Sequence, residues 1–143
     1  MNVKKLEEEE AIRNRYNQAR GLNAKKAKLC LGKTAVHEFD IFEQGRVIGG
    51  ITTSPWKNRP TENYPSGSNN SGGQDGTAAE LLWLSLWQGY EERVLMLTDK
   101  DMATGLLHRW KGCRFPNPIK VVHFDGSKFD DAWLSGKILD TEE

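Results

Sequence analysis

The chain has 143 residues, of which 37% are hydrophobic, and its 20 basic and 20 acidic side chains give a net charge of zero at pH 7. This length is typical of one domain, residues 1–143, and no run of about 18 apolar residues could span a membrane. Residues 1–10 carry charges where a secretory signal needs apolar residues, and Cys30 and Cys113 lack disulfide-framework or zinc-module spacing. Membrane-spanning, disulfide-rich and zinc-module proteins are thus excluded, and a cytoplasmic protein with two buried, free thiols is predicted.

The zero net charge hides an uneven distribution of charged residues. Residues 11–36 contain seven basic residues and no acidic one, whereas residues 125–143 contain six acidic residues and two basic ones. Basic surfaces bind nucleic-acid phosphates, but a basic helix is equally typical of a face exposed to water. The basic stretch is therefore either a solvated surface or a nucleic-acid-binding surface with four candidate contacts: Arg13, Arg20, Lys25 and Lys26.

The first predicted elements are a helix over residues 4–21 and a β-hairpin of residues 36–42 and 47–53. The helix is rich in Glu in its early turns, carries Arg20 in its last turn and can end at Gly21. Its apolar positions are few, so it is predicted to cover one side of a larger structure. The hairpin strands have the alternating pattern of half-buried strands.

The register of the hairpin determines which of its side chains share a face. A loop of three residues, 44–46, places Asp40 opposite Gly50 and Glu38 opposite Thr52. The two carboxylates then lie on one face, and four apolar side chains lie on the other: Phe39, Ile41, Val47 and Ile51. Acidic residues are depleted in strands, so Glu38 and Asp40 are candidate functional residues.

The rest of the chain alternates helices and strands. It is predicted to contain a Gly-, Ser- and Asn-rich loop over 54–76, a buried helix over 77–88, a strand over 93–98, a helix over 99–111, a strand over 119–124 and a frayed tail over 136–143. Thr77 and Glu80 have the spacing of a capping box at the start of the buried helix. This order predicts an α/β fold with a mixed central sheet flanked by helices.

The hairpin also carries a resemblance to a known family. Asp40 lies on one strand, and residues 47–53 of the other strand read Val-Ile-Gly-Gly-Ile-Thr-Thr. This arrangement resembles the restriction-endonuclease-like PD-(D/E)XK superfamily, whose members place an acid on one strand and an acid-x-lysine triplet on its partner, often in a run such as Val-Ile-Gly-Glu-Ile-Lys-Thr. The resemblance covers roughly residues 4–98. It implies an α-β-β-α-β core, a Mg²⁺ cofactor and hydrolysis of phosphodiester bonds in nucleic acid.

Two positions depart from the superfamily's motif, because Gly50 stands in place of the second acid and Thr52 in place of the lysine. Only Asp40 matches residue for residue. The site has therefore either moved to other residues or lost its activity. If it has moved, the nearest substitute for the lysine is Lys57, which follows the end of the strand.

Two carboxylates could replace the missing acid as a metal ligand beside Asp40. Glu38 is predicted on the same face of the hairpin, and its alternative role is a salt bridge with a basic residue of the first helix. Glu80 lies on the buried helix, from which some members of the superfamily supply the acid. Its alternative role is the capping box, which the sequence favours.

Further candidates are weaker. Trp56 lies beside Lys57 and could stack on a nucleic-acid base. The glycine-rich residues 71–76 precede a helix, so they form either a helix-entry turn or an anion site. His37 is predicted as an interior residue rather than a ligand. No metal role is predicted for the two remaining histidines, His108 and His123.

The leading hypothesis is a Mg²⁺-dependent phosphodiesterase that acts on nucleic acid. The alternative is a catalytically inactive interaction or structural protein on the same fold, with another protein or a second copy of this chain as its partner. The sequence predicts no membrane partner in either case.

Overall fold

The computed structural model describes residues 3–134. In this range there are three helices and six strands, in the order α1 (Val3–Arg20), β1 (Lys25–Cys30), β2 (Val36–Glu43), β3 (Val47–Thr52), α2 (Ser71–Leu84), β4 (Glu92–Leu97), α3 (Lys100–Trp110), β5 (Ile119–Phe124) and β6 (Phe129–Leu134). The strands form one sheet in sequence order. β3, β4 and β5 are parallel, and the other neighbours are antiparallel. The predicted α/β fold with a mixed sheet is confirmed, and the predicted tail at 136–143 lies outside the described residues.

The helices cover both faces of the sheet. Leu81 of α2 and Leu106 of α3 are buried in a cluster on one face. Ile12 and Tyr16 of α1 are buried in a second cluster on the other face. The core therefore consists of two apolar layers separated by the sheet. No helix among residues 3–134 is long and apolar enough to cross a bilayer.

The hairpin register follows the prediction, but one predicted face is wrong. Phe42 pairs with Ile48, as a three-residue loop requires. On its other side β2 pairs with β1 through a register shift, because the four residues of β2 from Phe39 to Phe42 lie opposite only three residues of β1, from Lys25 to Ala27. Such a bulge interrupts the alternation of side chains. Phe39 consequently packs on the α2 face, whereas Ile41 packs on the α1 face with Val47 and Ile51.

The start of α2 differs from the prediction by six residues. The helix begins at Ser71, where the Asn70 Oδ1 accepts a hydrogen bond from the Gly73 amide at 3.2 Å. The predicted capping box is therefore wrong: the Thr77 hydroxyl donates to the carbonyl oxygen of Gly73 at 2.7 Å, inside the helix. The glycines of the first two turns have low helix propensity, which is why the sequence pattern predicted a loop as far as residue 76. Glu80 consequently lies in the middle of α2 and has no capping role.

Two strands were not predicted, and the predicted burial of the thiols differs from the structure. β1 is an edge strand rich in lysine, and β6 follows the turn after Asp125; neither has a strong apolar pattern. Cys30 ends β1 and is exposed, while Cys113 is half-buried, and both are free thiols. The prediction of two buried thiols is therefore wrong for Cys30, because an edge strand leaves its last residue open to solvent.

Close packing of β3 against β4 makes a prediction about Gly49. An ideal Cβ on Gly49 would lie 2.3 Å from the carbonyl oxygen of Val94, a backbone atom that cannot turn aside. Gly49→Ala is expected to lower the free energy of unfolding by about 2 kcal/mol in urea denaturation. Gly76→Ala is the control, because its Cβ meets no atom within 4 Å and alanine favours the helix. Equal stability of Gly49→Ala and the wild type would contradict this packing.

Candidate active site

The β2–β3 hairpin opens at Asp40. Its last regular pair joins Ile41 with Gly49. One residue further, the Asp40 Oδ2 accepts a hydrogen bond from the Ile51 amide at 2.9 Å, so a carboxylate replaces a main-chain partner. On the α1 side, Arg13 Nη1 donates to the Asp40 carbonyl oxygen at 3.2 Å. The bulge in β2 and the splayed strand ends thus fix Asp40 between the two strands.

A cavity of about 340 Å³ lies where the hairpin opens, between the strand ends and α2. Four titratable side chains line it: His37, Glu38, Asp40 and Glu80. Much of the remaining wall is formed by small residues, including Gly50 of β3 and three glycines of α2. No lysine or arginine is among the lining residues in the part of the chain that the structure covers. The cavity is therefore acidic, and small residues form much of its wall.

Glu80 occupies the space that a side chain at position 50 would fill. An ideal Cβ on Gly50 would lie 2.7 Å from the Glu80 Oε1. Position 50 is where the superfamily resemblance places the second acid. The carboxylate of Glu80 therefore enters the cavity from α2 at the place where an acid on β3 would enter it.

Burial raises the pKa of both inner carboxyls, Asp40 and Glu80. Burial is the main cause of the raised pKa of Asp40, opposed by the hydrogen bond from the Ile51 amide and by the charges of Lys26 and Arg13. Burial also raises the pKa of Glu80, and the charge of Asp40 raises it further, while His37 lowers it. A cation between these carboxylates would offset both effects.

The residues present fit a hard divalent cation better than a closed metal centre. Among residues 3–134 there is no cluster of three or more His, Cys, Asp or Glu side chains arranged to hold a metal ion. Asp40 and Glu80 would supply two carboxylate ligands. Mg²⁺ is commonly bound in this way, through one or two carboxylates and several retained waters.

Glu38 has the alternative role predicted for it, with a different partner. Its Oε1 lies 3.5 Å from Lys26 Nζ, and 44% of the Glu38 side chain is exposed. Lys26 belongs to β1, an element the sequence did not predict, rather than to the first helix. Glu38 lines the rim of the cavity and is already paired, so Glu80 is the better candidate for the second metal ligand.

Lys57 and Trp56 lie away from the carboxylates. Lys57 is exposed, pairs with Asn69 in an isolated β-bridge and does not line the cavity. The Trp56 ring packs so closely on α3 that a Cβ on Gly105 would lie 2.5 Å from it, and the Arg109 guanidinium lies 4.8 Å from its centroid. Trp56 therefore anchors the loop after β3 to α3, and base stacking by Trp56 stays a prediction.

The predicted basic contacts fall into two groups. Arg13 and Lys26 lie near Asp40, whose pKa they lower. Arg20 lies elsewhere, where it forms two hydrogen bonds with the carboxylate of Asp131 at 2.5 and 2.8 Å. Lys25 is exposed at the start of β1. Only Arg13 and Lys26 therefore combine a positive charge with proximity to the candidate site.

Sequence reasoning missed Glu9 as a neighbour of this site. Its side chain belongs to α1 and the residue is only 7% exposed. Burial raises the pKa of Glu9, and the charge of Asp40 raises it further. Glu9 is spaced three and seven residues from the buried Ile12 and Tyr16, a helical spacing that identifies it as the buried member of the four-glutamate run.

The site therefore consists of Asp40 at the fork of the hairpin, Glu80 in the space beside Gly50, and His37 and Glu38 at the cavity wall. Two cations, Arg13 and Lys26, lie on the α1 side of Asp40. Comparisons of the chain with protein-family models, with characterised proteins and with solved structures gave no match.

Proposed function

We propose that this chain is a divalent-metal-dependent phosphodiesterase that acts on nucleic acid, with a fold of the restriction-endonuclease-like PD-(D/E)XK type. The element order supports this proposal, because α1, the β2–β3 hairpin, α2 and β4 follow one another as in the α-β-β-α-β core. β1 is an additional edge strand. A cytoplasmic location is part of the same proposal and agrees with two unpaired cysteines.

The observation that carries the proposal is the place of the Glu80 carboxylate. The motif departs from the superfamily at Gly50, where an acid is missing from β3. Glu80 Oε1 lies 2.7 Å from the ideal Cβ position of that residue. With its capping role removed, Glu80 keeps an ion-pair contact of 3.7 Å between its Oε2 and His37 Nε2, which leaves Oε1 unexplained. Its burial in a cavity with Asp40 costs stability. A pair of carboxylates kept at such a cost favours a function in binding a cation.

The chemistry follows from the charges of the two carboxylates. Asp40 and Glu80 would hold Mg²⁺ or Mn²⁺, which when bound polarises a phosphate and lowers the pKa of a coordinated water. Asp40 is fixed for this role by the Ile51 amide. The glycine wall of α2 would admit the nucleic-acid backbone close to the carboxylates, since no side chain projects from those positions.

The experiment that tests the proposal is cleavage of plasmid and single-stranded DNA and of RNA in Mg²⁺ or Mn²⁺, with EDTA as the metal-free control. Wild-type protein is expected to cut at least one of these substrates, and Asp40→Asn is expected not to. Asparagine keeps an acceptor for the Ile51 amide, so the variant should remain folded. Cleavage that survives both EDTA and Asp40→Asn would overturn the proposal.

A second candidate function is favoured by the absence of lysine from the cavity lining described above. Thr52 occupies the motif position of that lysine, and Lys57, the substitute that the sequence suggested, does not line the cavity. The protein would then bind nucleic acid or another protein without cutting. In this case divalent cations would support binding at the site, and cleavage would be absent under all conditions.

If the site binds nucleic acid, the positive charges of Arg13 and Lys26 should contribute to binding. Arg13→Ala and Lys26→Ala are each expected to remove one phosphate contact. Each should reduce the slope of the logarithm of the DNA-binding constant against the logarithm of salt concentration by roughly one. Lys111→Ala is the control, because Lys111 is exposed at the end of α3. The measurement is fluorescence anisotropy of labelled DNA across a salt series. Absence of binding at low salt would contradict every nucleic-acid function for this chain.

A further inference from the structure

His37 is held in a fixed orientation at the wall of the cavity. Its ring packs edge-on against Phe39 of β2 at 4.6 Å and against Trp83 of α2 at 6.0 Å between centroids. Trp83 follows Glu80 by three residues, so both lie on the same side of α2. The strand and the helix together therefore direct the imidazole towards Glu80.

The Nε2 atom of His37 is buried and has no hydrogen-bond partner among the described residues. It lies 3.7 Å from the Glu80 Oε2, close enough for an ion pair but too far for a hydrogen bond. A buried polar nitrogen without a partner is unfavourable, so its position requires an explanation beyond packing.

The two oxygens of Glu80 face different neighbours. Oε1 lies beside Gly50, in the space of the missing acid, while Oε2 lies beside His37. A carboxylate that binds a metal through one oxygen is commonly fixed by a hydrogen bond to the other. A shift of less than 1 Å would bring Nε2 from 3.7 Å to hydrogen-bond distance of Oε2.

We propose that His37 is a positioning residue for Glu80: Nε2–H donates to Oε2 and thereby presents Oε1 to a divalent cation beside Asp40. This inference rests on the proposed function, since it gives the cation site a supporting residue. It also explains why an aromatic pair, Phe39 and Trp83, surrounds a histidine at the wall of an acidic cavity. The superfamily motif contains no residue with this task.

The first test is calorimetric titration of Mg²⁺, and separately Mn²⁺, into the metal-free full chain. His37→Phe keeps the ring packing but removes the donor, and it is expected to weaken cation affinity 10- to 100-fold. His37→Gln supplies an N–H donor and is expected to recover most of the affinity. His108→Phe is the control, because His108 is exposed on α3 and does not line the cavity. If cation affinity falls equally in the Phe and Gln variants, Nε2 itself is a ligand of the cation, and the positioning role is overturned.

The second test needs no cation and separates this inference from the proposed function. A double-mutant cycle combines His37→Phe and Glu80→Gln and measures the unfolding equilibrium of the metal-free chain. The effect of the double variant on the unfolding equilibrium constant is expected to differ by about threefold or more from the product of the two single effects. Independent effects would overturn the positioning role. Coupling without any cation binding by the wild type would support the His37–Glu80 contact and contradict the proposed function.

Discussion

Transfer of the second acid from α2 to β3 is expected to restore cleavage that the loss of Glu80 abolishes. Glu80→Ala should lower the rate of metal-dependent cleavage by roughly 10³-fold, since a bound cation stabilises the transition state by several kcal/mol. Gly50→Glu combined with Glu80→Ala should recover the rate to within about tenfold of the wild type. The reason is geometric: a Cβ on residue 50 lies 2.7 Å from the Glu80 Oε1. The measurement is single-turnover cleavage in Mg²⁺ or Mn²⁺.

Two further variants control this acid-transfer experiment. Gly50→Gln with Glu80→Ala has the same size and no charge, and it should stay inactive. Gly50→Glu alone places two carboxylates in one space and should reduce stability rather than raise activity. The backbone of Gly50 does not have a positive φ, so a side chain is sterically allowed there once Glu80 is shortened. If the transferred acid leaves a folded protein as inactive as Glu80→Ala, the equivalence of the two positions is refuted.

Mg²⁺ is expected to raise the free energy of unfolding by about 2.7 kcal/mol at a concentration one hundred times its Kd, because it binds the folded chain alone. The effect should vanish in Asp40→Asn with Glu80→Gln, which removes both charges and keeps the shapes of the side chains. The measurement is thermal and urea denaturation with Mg²⁺ or with EDTA. An equal shift in the double variant would place the cation elsewhere on the protein.

The pH dependence of this stability has a definite sign. The folded-state pKa values of Asp40 and Glu80 are raised above the ordinary values of 3.8 and 4.5. The folded chain therefore binds more protons than the unfolded chain in the window above those ordinary values. Without a cation, stability contributed by the protonated groups is present at low pH and falls as pH rises through the raised pKa values. The double variant should show a smaller fall, because it keeps Glu9, whose pKa burial also raises. Protection by Mg²⁺ should grow with pH over the same window.

The β2–β3 hairpin shows which structural features could be predicted from residues close in the chain. Loop length and alternation predicted the pairing of Phe42 with Ile48 correctly, because both depend on residues close in the chain, whereas the predicted pairs of Asp40 with Gly50 and of Glu38 with Thr52 lie beyond the last regular pair. The same alternation misplaced Phe39, because a bulge forms only where β2 must also pair with β1. β1 escaped prediction since its lysines mask the pattern of an edge strand.

Glu80 shows why the candidate site was only partly predictable. Its spacing from Thr77 favoured a capping box, a local interpretation that holds only if the helix begins there. The helix begins at Ser71 instead, with Asn70 as its N-cap, and this depends on the hydrogen bond from the Gly73 amide to Asn70 Oδ1. The glycines that allow this turn are the residues that a propensity-based prediction places in a loop.

The sequence by itself determined the order of most elements, the buried strands β3, β4 and β5, and Asp40 as an unusual acid within a strand. These follow from periodicity, which local residues establish. Only the tertiary structure decided that Glu80 faces Gly50, that His37 faces Glu80 and that Lys57 does not line the cavity. Residues 50 and 80 belong to different layers of the fold, and only the packing of α2 on the sheet sets the distance between them.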